Sequence, residues 1–118
     1  MTVYAYTRAS TDKQAITCKA QSQAIDSYAQ AKGLAIDKAI SDEATTSRIP
    51  FWKRDGGKQI YRAIEKGEAS ALVVVKLDRA FRSAQEALQV IELMNKEGCA
   101  LHVIDFGGSS IDTATATG

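Results

Sequence analysis

The sequence predicts an α/β fold built around a mostly parallel sheet, and three observations point to it. Short β-prone runs alternate with stretches of helical periodicity along the whole chain. One run, Ala71-Leu72-Val73-Val74-Val75, is continuously apolar and mostly β-branched, as in a central strand buried on both faces. The order strand, helix, strand, helix, strand, helix, strand implies right-handed crossovers with helices packed on the sheet.

Each element has its own warrant. Thr2 to Tyr6 is the first strand. Thr17 is placed to cap the first helix, whose apolar positions include Ala24, Ile25 and Tyr28 and which Gly33 closes. Leu34 to Ile40 reads as a second strand, weaker and suited to an edge. Residues 41–57 read as irregular; they hold the only proline, Pro50, beside the only tryptophan, Trp52. That loop is basic, with Arg48, Lys53 and Arg54 and then Lys58. Such a charged run is most often a solvated surface, and Phe51-Trp52 shifts the balance only modestly toward a backbone-binding one. Lys58 to Lys66 reads as a short helix with Ile60, Tyr61 and Ile64 on one face, ended by Gly67. Ser83 and Glu86 form an S-x-x-E capping box for the best helix of the chain, with Leu88, Ile91 and Met94 as its apolar stripe and Gly98 as its stop. Ala100 to Ile104 is the last clear strand, and 107–118, small and polar, reads as a loop. The sum is a Rossmann-like (flavodoxin-like) three-layer sandwich of about four strands with helices on both faces, in one domain over residues 1–118.

Composition bounds the function. The chain has 118 residues, 45% hydrophobic and 25% charged, with a formal net charge of +1. It is long enough for a core of its own, and its charge alone does not mark a nucleic-acid binder. No apolar run is long enough to cross a bilayer, and no secretory leader pattern opens the chain. Cys18 and Cys99 lack metal-ligand spacing and read as free thiols of a reducing cytoplasm. His102, the only histidine, lies in an apolar run and reads as a packed strand residue, which disfavours a His-dependent triad.

Two strands end in charged turns. The first delivers Arg8 and Ser10, the third Asp78, Arg79 and Arg82. Taken alone, Arg8 and Ser10 fit a solvated charge and turn chemistry slightly better than a site, and Asp78-Arg79 fits a surface ion pair. Together they change the balance, because strands one and three are neighbours at the switch point of a doubly wound sheet and open on one crevice. Three guanidinium groups suit an anionic phosphoryl centre, and a serine can supply the nucleophile. The chain has no P-loop, no G-x-G-x-x-G after the first strand and no G-x-S-x-G elbow.

These residues also carry a resemblance. Tyr6-Thr7-Arg8-Ala9-Ser10-Thr11-Asp12-Lys13-Gln14 resembles the Y-x-R-x-S-[ST]-x-x-Q signature of the resolvase/invertase family of serine site-specific recombinases. Lys76-Leu77-Asp78-Arg79-Ala80-Phe81-Arg82-Ser83 is similar to its K-L-D-R-x-x-R-S segment, and 111–118 to its I-D-T-x-T-x-T-G stretch; Gln21 stands where the family carries a glutamine on its first helix. The resemblance implies that Ser10 attacks a DNA phosphodiester to form a 5′-phosphoserine link, that Arg8, Arg79 and Arg82 bind the scissile phosphate, that Asp78 orients those arginines, and that Gln14 supports the Ser10 turn. It also implies a further arginine in the loop before the second helix. Arg54, in Arg54-Asp55-Gly56, matches best and Arg48 competes. Thr7, Thr45-Thr46 and Ala80-Phe81 depart from common family residues. The implied chemistry uses no metal, cofactor, ATP or small-molecule substrate. It joins DNA to a homodimer that assembles to a tetramer, in the cytoplasm of a bacterium or in a phage or plasmid-type mobile element, away from membranes. The resemblance stops before the family's long dimerisation helix and DNA-binding domain, so the chain is expected to be the catalytic domain alone and inactive by itself. The competing expectation is a catalytically silent dimerisation or DNA-docking module.

Overall fold

The structure, a computed structural model, describes residues 2–10, 17–46, 48–106 and 109–112, with the backbone alone for 105, 106 and 109–112. The elements are β1 (Thr2–Arg8), α1 (Cys18–Lys32), β2 (Lys38–Asp42), a 3-10 turn (Phe51–Lys53), α2 (Asp55–Glu65), β3 (Ala69–Val74), α3 (Leu77–Ala80), α4 (Ala84–Glu97), β4 (Ala100–Phe106) and β5 (Ser109–Asp112). They build one sheet in the order β2-β1-β3-β4-β5. The first four strands pair in parallel, and β5 pairs antiparallel with β4. The expected α/β architecture stands, with β2 at an edge, β3 in the middle and β1 beside β3. The strand count grows by one: part of the tail expected as a loop is β5. Ser109-Ser110-Ile111-Asp112 carries little strand signal of its own, and the open side of β4 supplies the pairing.

Alternation along the strands divides the core. Tyr4 and Tyr6 of β1, Leu72 and Val74 of β3, and Leu101 and Val103 of β4 face α2 and α4 with Ile60, Ile64, Val90 and Met94. Ala5, Val73 and Val75 pack on the other face against Ile25 of α1. Helices therefore cover both faces. Among the described residues, no helix is long and apolar enough to cross a membrane.

Capping follows the sequence closely. Thr17 accepts from the Ala20 N–H and Ser83 from the Glu86 N–H, while Gly33 and Gly98 close α1 and α4 with φ of 67° and 74°. Three expectations need correction. β2 runs Lys38–Asp42 rather than Leu34–Ile40, because Leu34 and Ile36 pack as a connection on the α1 side of the sheet. Helix α2 begins at Asp55, inside the stretch expected to be irregular. Helix α4 buries Ala87, Val90 and Met94 and leaves Leu88 64% exposed, so its apolar face is turned from the stripe expected.

Candidate active site

β1 and β3 end side by side, and the chain leaving β3 folds back as the single turn of α3. That turn is held by guanidinium groups. Arg8, 5% exposed, gives Nε to the Arg79 carbonyl (3.1 Å), Nη2 to the Asp78 carbonyl (3.3 Å) and Nη1 to the Thr45 carbonyl (2.8 Å). Just before Thr45 the chain turns through Ala44 at a φ of 52°, a conformation most L-residues avoid. Arg54, 1% exposed, gives Nη1 to the carbonyls of Ala80 (2.8 Å) and Arg79 (3.1 Å) and to the Tyr6 hydroxyl (3.2 Å), and Nε to the Ile49 carbonyl (2.9 Å). Burial first, and then the like charges of Arg54 and Arg79, makes the charged form of Arg8 less favourable than usual. Carbonyl dipoles on each of its nitrogens offset that cost.

A second network fixes Arg54. The Asp42 carboxylate, at the end of β2, accepts the Tyr6 hydroxyl (2.7 Å) and the first N–H groups of α2, from Gly56 (2.7 Å) and Gly57 (3.0 Å). Helix α2 has no side-chain cap of its own, so a carboxylate from the neighbouring strand satisfies its open N-terminus. The two glycines permit that approach. A Cβ at Gly56 would sit 2.6 Å from Ile40 Cγ2, and one at Gly57 would sit 2.2 Å from the Phe51 carbonyl oxygen. Burial, and then the Asp42 hydrogen bond, pushes the Tyr6 hydroxyl well above its ordinary pKa. On the other side of β1, the Gln21 amide closes a ring with Arg8: its Oε1 accepts the Arg8 N–H (3.3 Å) and its Nε2 donates to the Arg8 carbonyl (2.7 Å).

The remaining residues lie further out. Ser10 is half-buried, two residues beyond the end of β1. Asp78 is exposed and Arg79 half-buried; the Arg79 Nε is a buried donor with no partner among the described residues. An unmet buried donor is costly, and an anion arriving from the crevice would satisfy it. The Arg82 side chain is 49% exposed, with its Nε 4.0 Å from Glu86. An apolar groove of about 190 Å³ lies beside it, lined in part by Leu77, Phe81 and Ala84. Thus Arg8, Arg54, Asp78 and Arg79 come together at one end of the sheet and Arg82 flanks them. Arg48 is exposed. Gln14 lies outside the described residues. Sequence reasoning gave no role to Tyr6 or Asp42. The signal was present in a buried-strand tyrosine and an aspartate ending the next strand, but a partner 36 residues away cannot be read from spacing.

The sequence model of the resolvase N-terminal domain matches residues 3–118. The chain belongs to the resolvase N-terminal domain family. Solved structures agree on the fold. The N-terminal catalytic domain of TP901-1 integrase superposes with a TM-score of 0.81 at 25% identity, over 100% of this chain and 85% of that one. A resolvase family site-specific recombinase from Streptococcus pneumoniae gives 0.77 at 24% identity, over 99% of this chain and 78% of that one. The C-terminal catalytic domain of ISC1926 TnpA, an IS607-like serine recombinase, gives 0.73 at 22% identity, over 90% and 69%. No curated protein matches the sequence. Serine recombinases act on DNA, so membership in the family makes this a recombination domain.

Proposed function

We propose that the chain is the catalytic domain of a DNA site-specific recombinase. The Ser10 Oγ attacks a backbone phosphorus, a P–O bond forms to serine, and the bond to the 3′ oxygen breaks. The serine proton is lost and the departing oxygen gains one, leaving a 5′-phosphoserine link and a free 3′-hydroxyl. Strand exchange and religation reverse the step, and the energy of the phosphodiester is conserved in the link. The supporting observation is the joining of the β1 and β3 ends by Arg8, with its donors on the Asp78 and Arg79 carbonyls. That clamp holds Arg79, whose Nε is a buried donor with no partner among the described residues, at the end of the sheet from which the chain runs on to Ser10. Arg79 and Arg82 neutralise the charge that grows on the phosphoryl oxygens. Asp78 stands beside them, and Gln14 steadies the serine turn. Arg8 and Arg54 act on the phosphate mainly through the framework they hold.

In this reading the reaction is carried out by a tetramer of paired dimers acting on two DNA sites. A suicide DNA substrate carrying the protein's own site tests this. The full-length protein forms a covalent protein–DNA adduct and Ser10→Ala forms none; an adduct that survives Ser10→Ala overturns the assignment. The second reading, a silent docking module, draws on the commitment of the Arg8 donors to backbone carbonyls. It predicts site binding and pairing with no adduct at all.

A further inference from the structure

Glu86 is a carboxylate only 1% exposed, in the first turn of α4. Burying a carboxylate is expensive unless donors surround it, and this one has donors from two separate segments. It accepts the Phe51 N–H at 3.3 Å and the Arg82 N–H, and one of its oxygens lies 4.0 Å from Arg82 Nε. The glutamate of a capping box ordinarily reaches back to the N–H of the cap residue itself, here Ser83. Glu86 instead reaches one residue further, to Arg82. A single buried carboxylate thus ties the turn that leads into Arg54 to the backbone that carries Arg82, and its charge draws the Arg82 guanidinium toward α4.

We propose that Glu86 is a positioning residue that sets Arg82 for an anionic group in the crevice. Arg82 is the most exposed arginine of the site and has a long, rotatable side chain, so ordering it in advance removes part of the cost of recruiting it to a phosphate. Glu86 holds the backbone origin of that side chain with one hydrogen bond and biases its head through the ion pair. Glutamine at this position keeps the size but turns an amide toward N–H donors and removes the charge, so both effects weaken together.

This inference rests on the proposed recombinase reading, and a double-mutant cycle in the full-length protein separates the two. Single-turnover adduct formation is measured for the parent, Glu86→Gln, Arg82→Ala and the double variant, each at a temperature where urea titration shows it folded. Glu86→Gln slows adduct formation by about tenfold and Arg82→Ala by about 100-fold or more, while the double variant is no slower than Arg82→Ala. If Glu86→Gln costs the same factor with or without Arg82, Glu86 is only structural and the inference falls. Should Glu86→Gln not fold, Glu86→Asp, which keeps the charge but shortens its reach, takes its place in the cycle with the same two outcomes. An adduct that persists in Ser10→Ala, or a parent that forms none, counts against the recombinase reading itself; an additive cycle in a protein that needs Ser10 counts against Glu86 alone.

Discussion

Arg54 is 1% exposed and spends its donors on the Ile49, Arg79 and Ala80 carbonyls and the Tyr6 hydroxyl, whereas Arg82, at the same end of the sheet, keeps a side chain 49% exposed with Glu86 as an ion partner at 4.0 Å. The residue type is the same, and the family resemblance marks both as arginines of the active site. The surroundings assign them different work. A buried guanidinium must be saturated with acceptors to repay its lost hydration, and backbone carbonyls do this for Arg54 by making it a cross-link between the 49–54 segment and α3. An exposed guanidinium keeps most of its hydration, and with the Glu86 carboxylate already biasing its position it can transfer to an arriving phosphate at little cost. Arg8 falls on the Arg54 side of this division and Arg79 lies between, half-buried, with its Nε unmet among the described residues.

The largest expected effect follows from that contrast. Arg54→Ala strips donors from three carbonyls and opens a void, and it lowers unfolding free energy in urea by about 3 kcal/mol or more. Arg82→Ala, in the same titration, changes it by less than about 0.5 kcal/mol. Equal losses would erase the distinction. Tyr6→Phe gives a smaller effect and a pH signature. It removes one donor from Asp42 and one acceptor from Arg54, at a cost of about 1–2 kcal/mol near neutral pH. Because the Tyr6 hydroxyl is pushed upward in the fold, its contribution is fully present below the ordinary tyrosine pKa of about 10. It is then lost as pH rises, because the unfolded chain releases that proton first. The parent therefore loses stability above about pH 10 more steeply than Tyr6→Phe; parallel alkaline curves would contradict the assignment.

What the sequence disclosed, and what it withheld, follows the range of the interactions. Thr17, Gly33, Ser83 and Gly98 were legible because caps act over three or four residues. The Val73-Val74-Val75 run was legible because burial on both faces leaves no polar alternation. The start of α2 was hidden by Gly56-Gly57, which reads as loop by propensity yet is helical because Asp42 caps it and Ile40 and Phe51 leave no room for a side chain. β5 was hidden because its pairing with β4, rather than its composition, makes it a strand. At the site, residue types and strand ends foretold which side chains meet. They could not foretell that Arg8 and Arg54 would point their donors into backbone carbonyls, since, apart from Arg54 Nε to Ile49, those bonds span 25 to 71 residues. The buried roles of Tyr6 and Asp42, and the Glu86 bond to the Phe51 N–H, went unread for the same reason.

The division of labour between the two arginines is tested most directly by residue-resolved modification with an arginine-selective dicarbonyl reagent, applied to the full-length protein with and without its DNA site and read by peptide mass spectrometry. Arg82 is expected to be modified in the free protein and shielded by DNA, while Arg54 stays unreactive in both. Modification of Arg54 in the free protein that DNA suppresses, with Arg82 equally reactive throughout, would contradict it.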